Sequence, residues 1–268
     1  MQPSEDQRIR RAQTFDEIAE LYDQGRREPP AWLYEAIFST SQLDPTTARI
    51  LEIGCGTGKS TLPLARRGCH VLALEMGANL ASAAQRNLST FPQIEIINTR
   101  FEDWSPPAAF DLALAITSWH WIDPAVRYQR AAAVLKPGAT LAFARSEHVF
   151  PPGCDPFFEQ IQDCYEAMGV ARLPWPPPPL ETVPDARQEI ERTGLFEDIH
   201  VIRRLWTEEF TAEEHIALMN TASDHRLMEP AKREELFSEM RRLIAARPGD
   251  RVLKHNLMLL HIARKRTS

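Results

Sequence analysis

Glycines at positions 54, 56 and 58 directly follow the apolar run Ile50-Leu-Glu-Ile53, and this is the spacing in the chain with the clearest chemical meaning. Glycine lets the backbone turn sharply at a strand end and leaves main-chain N–H groups open to a ligand that a Cβ would keep away. A nucleotide-like ligand is implied. A second apolar run, Val71-Leu-Ala-Leu74, ends in the carboxylate Glu75 about twenty residues further on, where an acid can accept both hydroxyls of a ribose. A ligand-free strand-to-helix turn would account for the glycines but not for the acid. A nicotinamide-dependent oxidoreductase shares that acid. Here, however, the third glycine of G-x-G-x-x-G falls on Lys59, whose long side chain opposes close helix packing.

The stretch Glu52-Ile-Gly-Cys-Gly-Thr-Gly58 resembles motif I of the class I S-adenosylmethionine-dependent methyltransferases, and Glu75 matches that family's ribose-binding acid. Other matches follow in chain order. Arg100-Phe-Glu-Asp-Trp104 is similar to the family's adenine-contacting turn; the resemblance implies that Phe101 flanks the base and that Glu102 or Asp103 receives its exocyclic amine. An acidic helix N-terminus completed by a packed Trp104 is the plainer reading. The run Phe110–Thr117 matches the fourth strand, and Ser118-Trp-His-Trp-Ile-Asp123 resembles a small-molecule subgroup, with a methyltransferase type 11 domain, that includes trans-aconitate methyltransferase-like proteins. Phe15-Asp-Glu-Ile-Ala-Glu-Leu-Tyr-Asp23 with Arg26 looks like that subgroup's entry helix, whose tyrosine and arginine lie over the cofactor. The usual R-P-x-Y-P pattern is replaced here by Arg27-Glu28-Pro29. The resemblance thus implies S-adenosyl-L-methionine as cofactor, held by Tyr22, Arg26, Glu52, Gly54, Cys55, Gly56, Gly58, Glu75, Met76, Phe101, Glu102, Asp103, Thr117 and Trp119.

A sulfonium methyl is already activated, so such an enzyme aligns the reacting atoms and excludes water. A hydroxyl acceptor needs a base, whereas a carboxylate acceptor arrives ionised. His120 is the candidate base, since an unperturbed imidazole titrates near 6.5; a histidine between two tryptophans is also what plain packing produces. Trp119 and Trp121 can wall the site, one of them as core. Methyl transfer to a small molecule, with O-methylation of an organic acid or secondary metabolite favoured, is the expected function. The alternatives are the oxidoreductase and a non-catalytic cofactor-binding scaffold.

These residues require a doubly wound α/β, Rossmann-like mixed sheet to position them. Short β-rich runs at 50–53, 71–74, 94–97, 112–116 and 140–143 alternate with helical stretches, the pattern of a parallel sheet covered by helices. Apolar spacing over Phe15–Phe38, broken at Gly25 and Pro29-Pro30, predicts two N-terminal helices. Leu135-Lys-Pro-Gly138 is expected to end a helix and turn into the fifth strand. Phe157, Ile161, Cys164, Tyr165 and Met168 share a helical face, and Pro174 with Pro176–Pro179 around Trp175 reads as a stiff connector. Runs at 199–206 and 252–263, with helices between, predict a closing antiparallel pair. One domain of 268 residues is expected: N-terminal helices at 1–48, a cofactor-binding core at 49–146, a helical cap at 147–195 and closing elements at 196–268.

Composition excludes more than it identifies. A net charge of −6 and a pI near 5.8 disfavour a nucleic-acid partner, which would need a basic face. The basic clusters Arg8, Arg10, Arg11 and Arg264, Lys265, Arg266 read as solvated termini. Cys55, Cys69, Cys154 and Cys164 lack metal-ligand spacing, so no metal and no disulfide framework is expected. No export signal or membrane-length apolar run is seen, so the expectation is a cytoplasmic monomer or homodimer with a small-molecule substrate and no membrane partner.

Overall fold

The computed structural model describes residues 14–106, 109–169 and 179–267. In chain order the elements are α1 (Ala19–Gly25), α2 (Ala31–Ser41), β1 (Arg49–Ile53), α3 (Thr61–Arg66), β2 (His70–Glu75), α4 (Ala78–Asn87), β3 (Ile94–Asn98), β4 (Phe110–Ile116), α5 (Arg127–Val134) and β5 (Leu135–His148). There follow α6 (Phe157–Ala167), α7 (Arg187–Thr193), β6 (Phe196–Thr211), α8 (Ala212–Met219), α9 (Ser223–Arg226), α10 (Pro230–Ala245) and β7 (Arg251–Lys265). The seven strands form one sheet in the order β3-β2-β1-β4-β5-β7-β6. The first five are parallel, and an antiparallel C-terminal pair completes a Rossmann-like fold.

β1 and β4 are buried along most of their length because helices cover the parallel strands; hence they read as near-continuous apolar runs rather than alternating ones. Since β2 and β3 lie on one side of β1 and β4 lies on the other, the strand order reverses between β1 and β4. In an open α/β sheet a ligand crevice opens outside the strand ends at such a point.

Contacts divide the chain into two compact units. The first comprises 1–145, 185–202 and 259–268; its core packs Leu51, Ile53, Ala113 and Leu141 with Trp119, Tyr128, Phe143 and Phe196. The second comprises 146–184 and 203–258, and its separate core gathers Phe157, Phe158, Ile161, Phe210, Phe237 and Ile244. Full burial of side chains this size stabilises by about 1.5–3 kcal/mol each relative to exposure.

Two expectations about local structure are corrected. Leu135–Gly138 is not a turn: α5 ends at Val134 and β5 begins at Leu135, which pairs with Phe110 before the register shifts at a bulge. Pro137 has no N–H for a ladder and Gly138 sits at φ +75°, so the strand is irregular there rather than absent. The C-terminal strands are also longer than the runs at 199–206 and 252–263. The connector around Trp175 and the cluster Arg8, Arg10 and Arg11 lie outside the described residues.

Candidate active site

The parallel register Ile53↔Leu74 carries Gly54 alongside Glu75 at the carboxyl ends of β1 and β2. The Gly54 N–H donates to the Leu74 carbonyl at 2.8 Å and turns the chain out of the sheet. Gly54, Gly56 and Gly58 all have positive φ, but the space at each differs. A Cβ on Gly54 would stand 2.6 Å from the Ser118 Cβ, and one on Gly58 would stand 2.9 Å from Leu88 Cδ1. At Gly56 the nearest atom is Tyr22 Cε1 at 3.6 Å. The outer glycines therefore allow close packing, while the middle one faces a gap under Tyr22.

Glu75 is 6% exposed, and its two oxygens accept from the Gly56 N–H at 2.8 Å and the Gly77 N–H at 2.9 Å. Burial raises its pKa, against the pull of those amides. A carboxylate offers about four lone-pair directions, so both oxygens keep acceptor capacity for a diol. Glu52 has a different part. It is 1% exposed and accepts from Ser60 Oγ at 2.5 Å, tying β1 to the residue that precedes α3, and burial raises its pKa. Cys55 is buried, its thiol pushed well up by desolvation. Asn98 Nδ2–H donates to the carbonyls of Glu75 and Met76, which holds that turn in place.

The N-terminal segment is fastened over the loop. Asp16 accepts from the Asn79 and Leu80 N–H groups at the start of α4, and Asp23 accepts from Asn87 Nδ2, which also donates to the Thr57 carbonyl. Burial raises the Tyr22 pKa, the Arg26 guanidinium lies 5.4 Å from its ring centroid, and Phe15 packs edge-on against both Tyr22 and Trp121.

At the end of β4, Thr117 takes φ +56° and donates its N–H to Ala144, and Ser118 Oγ donates to the Ile53 carbonyl. Residues 119–121 then form one 3-10 turn. Trp119 is 4% exposed, stacked on Phe143 at 4.9 Å, and Phe143 stacks on His261 at 4.6 Å, so this tryptophan is core beneath the turn. His120 keeps an exposed edge, yet the protein packed around the rest of its ring disfavours the cation; with Arg145 and Arg127 nearby, its pKa falls to about 4. Phe101 is 3% exposed and packed in the first unit's core. Glu102 accepts from the Asp123 N–H at 3.1 Å and faces Arg100 at 3.7 Å, and Asp103 points outward, 3.9 Å from the same arginine.

Residues 50–138 match the family model described as a methyltransferase domain. This segment is a methyltransferase domain. An uncharacterized methyltransferase of Mycobacterium tuberculosis is 33% identical over 130 residues, which is 48% of this chain and 50% of that protein. A ubiquinone biosynthesis O-methyltransferase of Hahella chejuensis is 35% identical over 100 residues, covering 36% and 42%. A trans-aconitate 2-methyltransferase of Rhodopseudomonas palustris is 29% identical over 107 residues, covering 39% and 41%. The match thus spans about half the length of these curated relatives or less. Among solved structures, the fold is shared with a protein from Anaeromyxobacter dehalogenans provisionally described as a type II methyltransferase: TM-score 0.60, 21% identity, 90% of this chain and 98% of that one.

The structure brings Tyr22, Gly56 and Glu75 to one place and sets the Ser118–Trp121 turn against Gly54. It does not bring Glu52, Phe101 or Trp119 to the surface of that place. Ser118, Asp16, Asn98 and Arg127 have structural parts that local sequence patterns do not show, because each bonds a partner distant in the chain, Glu189 in the case of Arg127. Among the described residues, no helix is long and apolar enough to cross a membrane.

Proposed function

We propose that this protein transfers the methyl group of S-adenosylmethionine to a small-molecule acceptor, most simply an oxygen of an organic acid. The observation that carries the reading is the cradle at Gly56: a positive-φ glycine with its N–H on the buried Glu75 carboxylate and a gap beneath Tyr22. An adenosyl ribose suits that donor–acceptor set, with Glu75 accepting its hydroxyls and the Gly54–Gly58 backbone passing close by. When bound, the cofactor supplies a methyl on a positive sulfur.

The chain's own residues then position and shield. Trp121 and Phe15 offer aromatic surface beside His120, and aromatic faces favour a sulfonium. With a pKa near 4, His120 is neutral at pH 7 but a weak base, poorly matched to a hydroxyl proton. Burial depresses it first and the Arg145 guanidinium next, and that guanidinium is suited instead to an acceptor that arrives as an anion and needs no base. This supports a carboxylate oxygen as the methyl acceptor. The free thiols Cys55 and Cys69 suit a reducing cytoplasm.

Isothermal titration with S-adenosylhomocysteine and with NAD tests the cofactor: heat is expected from the first and none from the second. Glu75→Gln is expected to weaken S-adenosylhomocysteine about 10–100-fold, the equivalent of one or two charge-assisted hydrogen bonds. An NAD signal alone, or an unchanged affinity in Glu75→Gln, would contradict the assignment. A panel of carboxylic acids, followed by mass spectrometry for gain of one methyl, tests the acceptor class; methylation of phenols or amines but of no acid would refute it.

A further inference from the structure

The turn that presents His120 is three residues long and has no capping side chain of its own. A single 3-10 turn at a strand end takes its shape from its neighbours. The ring wall below is already rigid, since Trp119, Phe143 and His261 stack in series. What needs a constraint is the backbone above that wall.

Arg127, the first residue of α5, supplies one. Its Nη1–H donates to the Trp119 carbonyl at 3.2 Å, and the guanidinium lies 5.6 Å from the Trp119 ring centroid and 5.3 Å from that of Tyr128. Its Nη2 makes a close ion pair with Glu189 on α7. Arg127 is 8% exposed. A charge buried to that degree rarely stabilises a fold more than an apolar residue of the same volume would, so its contribution is better sought in conformational specificity.

We propose that Arg127 is a positioning residue: braced by Glu189, it holds the Trp119 carbonyl and so fixes the turn that places His120 and Trp121 at the methyl-transfer edge. The proposal rests on reading that edge as the methyl-transfer site. Arg127 reaches the site through the turn. The charged groups acting on His120 are Arg145 of β5 and Arg127 itself.

The test compares Arg127→Met and Arg127→Lys with the full wild-type chain by amide hydrogen exchange at Trp121, whose N–H donates to the Ser118 carbonyl at 2.9 Å, and by NMR titration of the His120 ring. In Arg127→Met, exchange at Trp121 is expected to rise about tenfold or more while strands β1 and β2 keep their protection. The His120 titration is expected to move up from about 4 but to stay below its ordinary value, because burial and Arg145 still depress it. Arg127→Lys, which keeps the charge but not the fork, should preserve the titration and give intermediate exchange. Ile37→Val, a core change on α2 away from the turn, should move neither readout. Wild-type exchange and titration in Arg127→Met, or the same changes in Ile37→Val, would overturn the proposal. If Arg127→Met does not fold, Glu189→Gln is read instead: faster exchange confined to residues 119–121 supports the brace, and unchanged exchange defeats it. Failure of wild-type protein to bind S-adenosylhomocysteine would count against the methyl-transfer reading alone, because exchange at Trp121 still decides the part of Arg127.

Discussion

Gly54 and Gly56 look equivalent in sequence but do different work. Both need a left-handed backbone that costs an L-residue about 1–2 kcal/mol, but only Gly54 is also pressed against another side chain. Gly54→Ala is therefore expected to lose roughly 2–4 kcal/mol in urea unfolding, the conformational cost plus overpacking against Ser118. Gly56→Ala should lose only about 1 kcal/mol while weakening S-adenosylhomocysteine, because its new methyl occupies the gap beneath Tyr22. Equal stability losses, or an undisturbed affinity in Gly56→Ala, would show that the two positions have been distinguished wrongly.

Asp16 shows how an element borrows its ends. The N-cap residue of α4 is Gly77, which has no side chain to cap with, and Asp16, sixty-odd residues earlier, accepts from the Asn79 and Leu80 amides instead. A Cβ on Gly77 would stand 2.5 Å from that carboxylate, so the glycine makes room for its own substitute cap. Asp16→Ala is expected to cost about 1 kcal/mol, as loss of an ordinary N-cap does, and to speed amide exchange at Asn79 and Leu80. If those two amides keep their protection, the carboxylate is not capping the helix. The same segment carries Tyr22 over Gly56, so glycine-loop order and helix capping share one anchor.

Each unit buries a neutral histidine: His261, 1% exposed, accepts from the Ala186 N–H in the first, and His215, 3% exposed, lies among Phe157, Phe158 and Phe210 in the second. Desolvation lowers their pKa values to about 4 and about 3. Because the folded values lie below the unfolded one of 6.5, the unfolded chain binds protons first as pH falls. Stability is therefore retained above pH 6.5 and lost from there down to the folded values. Between pH 7 and pH 5 each histidine is expected to cost roughly 2 kcal/mol, seen as a lower urea midpoint, and His261→Gln should flatten part of that slope. A pH-independent midpoint over this range would show that these imidazoles are not held neutral.

The sequence by itself determined the succession of strands and helices along residues 49–146, the glycine turn and the acid that ends β2. Those are local facts: apolar runs of strand length, glycines immediately after one run, a carboxylate ending the next. It could not show that Trp119 and Phe101 are core rather than wall, because an aromatic beside a ligand and one under it have the same composition and spacing. Nor could it show that His120 is a weak base, since the causes are first the burial of its ring and then two arginines, one twenty-five residues away and one seven. Only the tertiary structure decided the bonds of Asp16, Arg127 and Glu189, which span 63 and 64 residues for the first and 62 for the pair. Strand and turn signals arise from neighbouring residues, whereas burial, electrostatic environment and capping by distant groups exist only once the chain has packed.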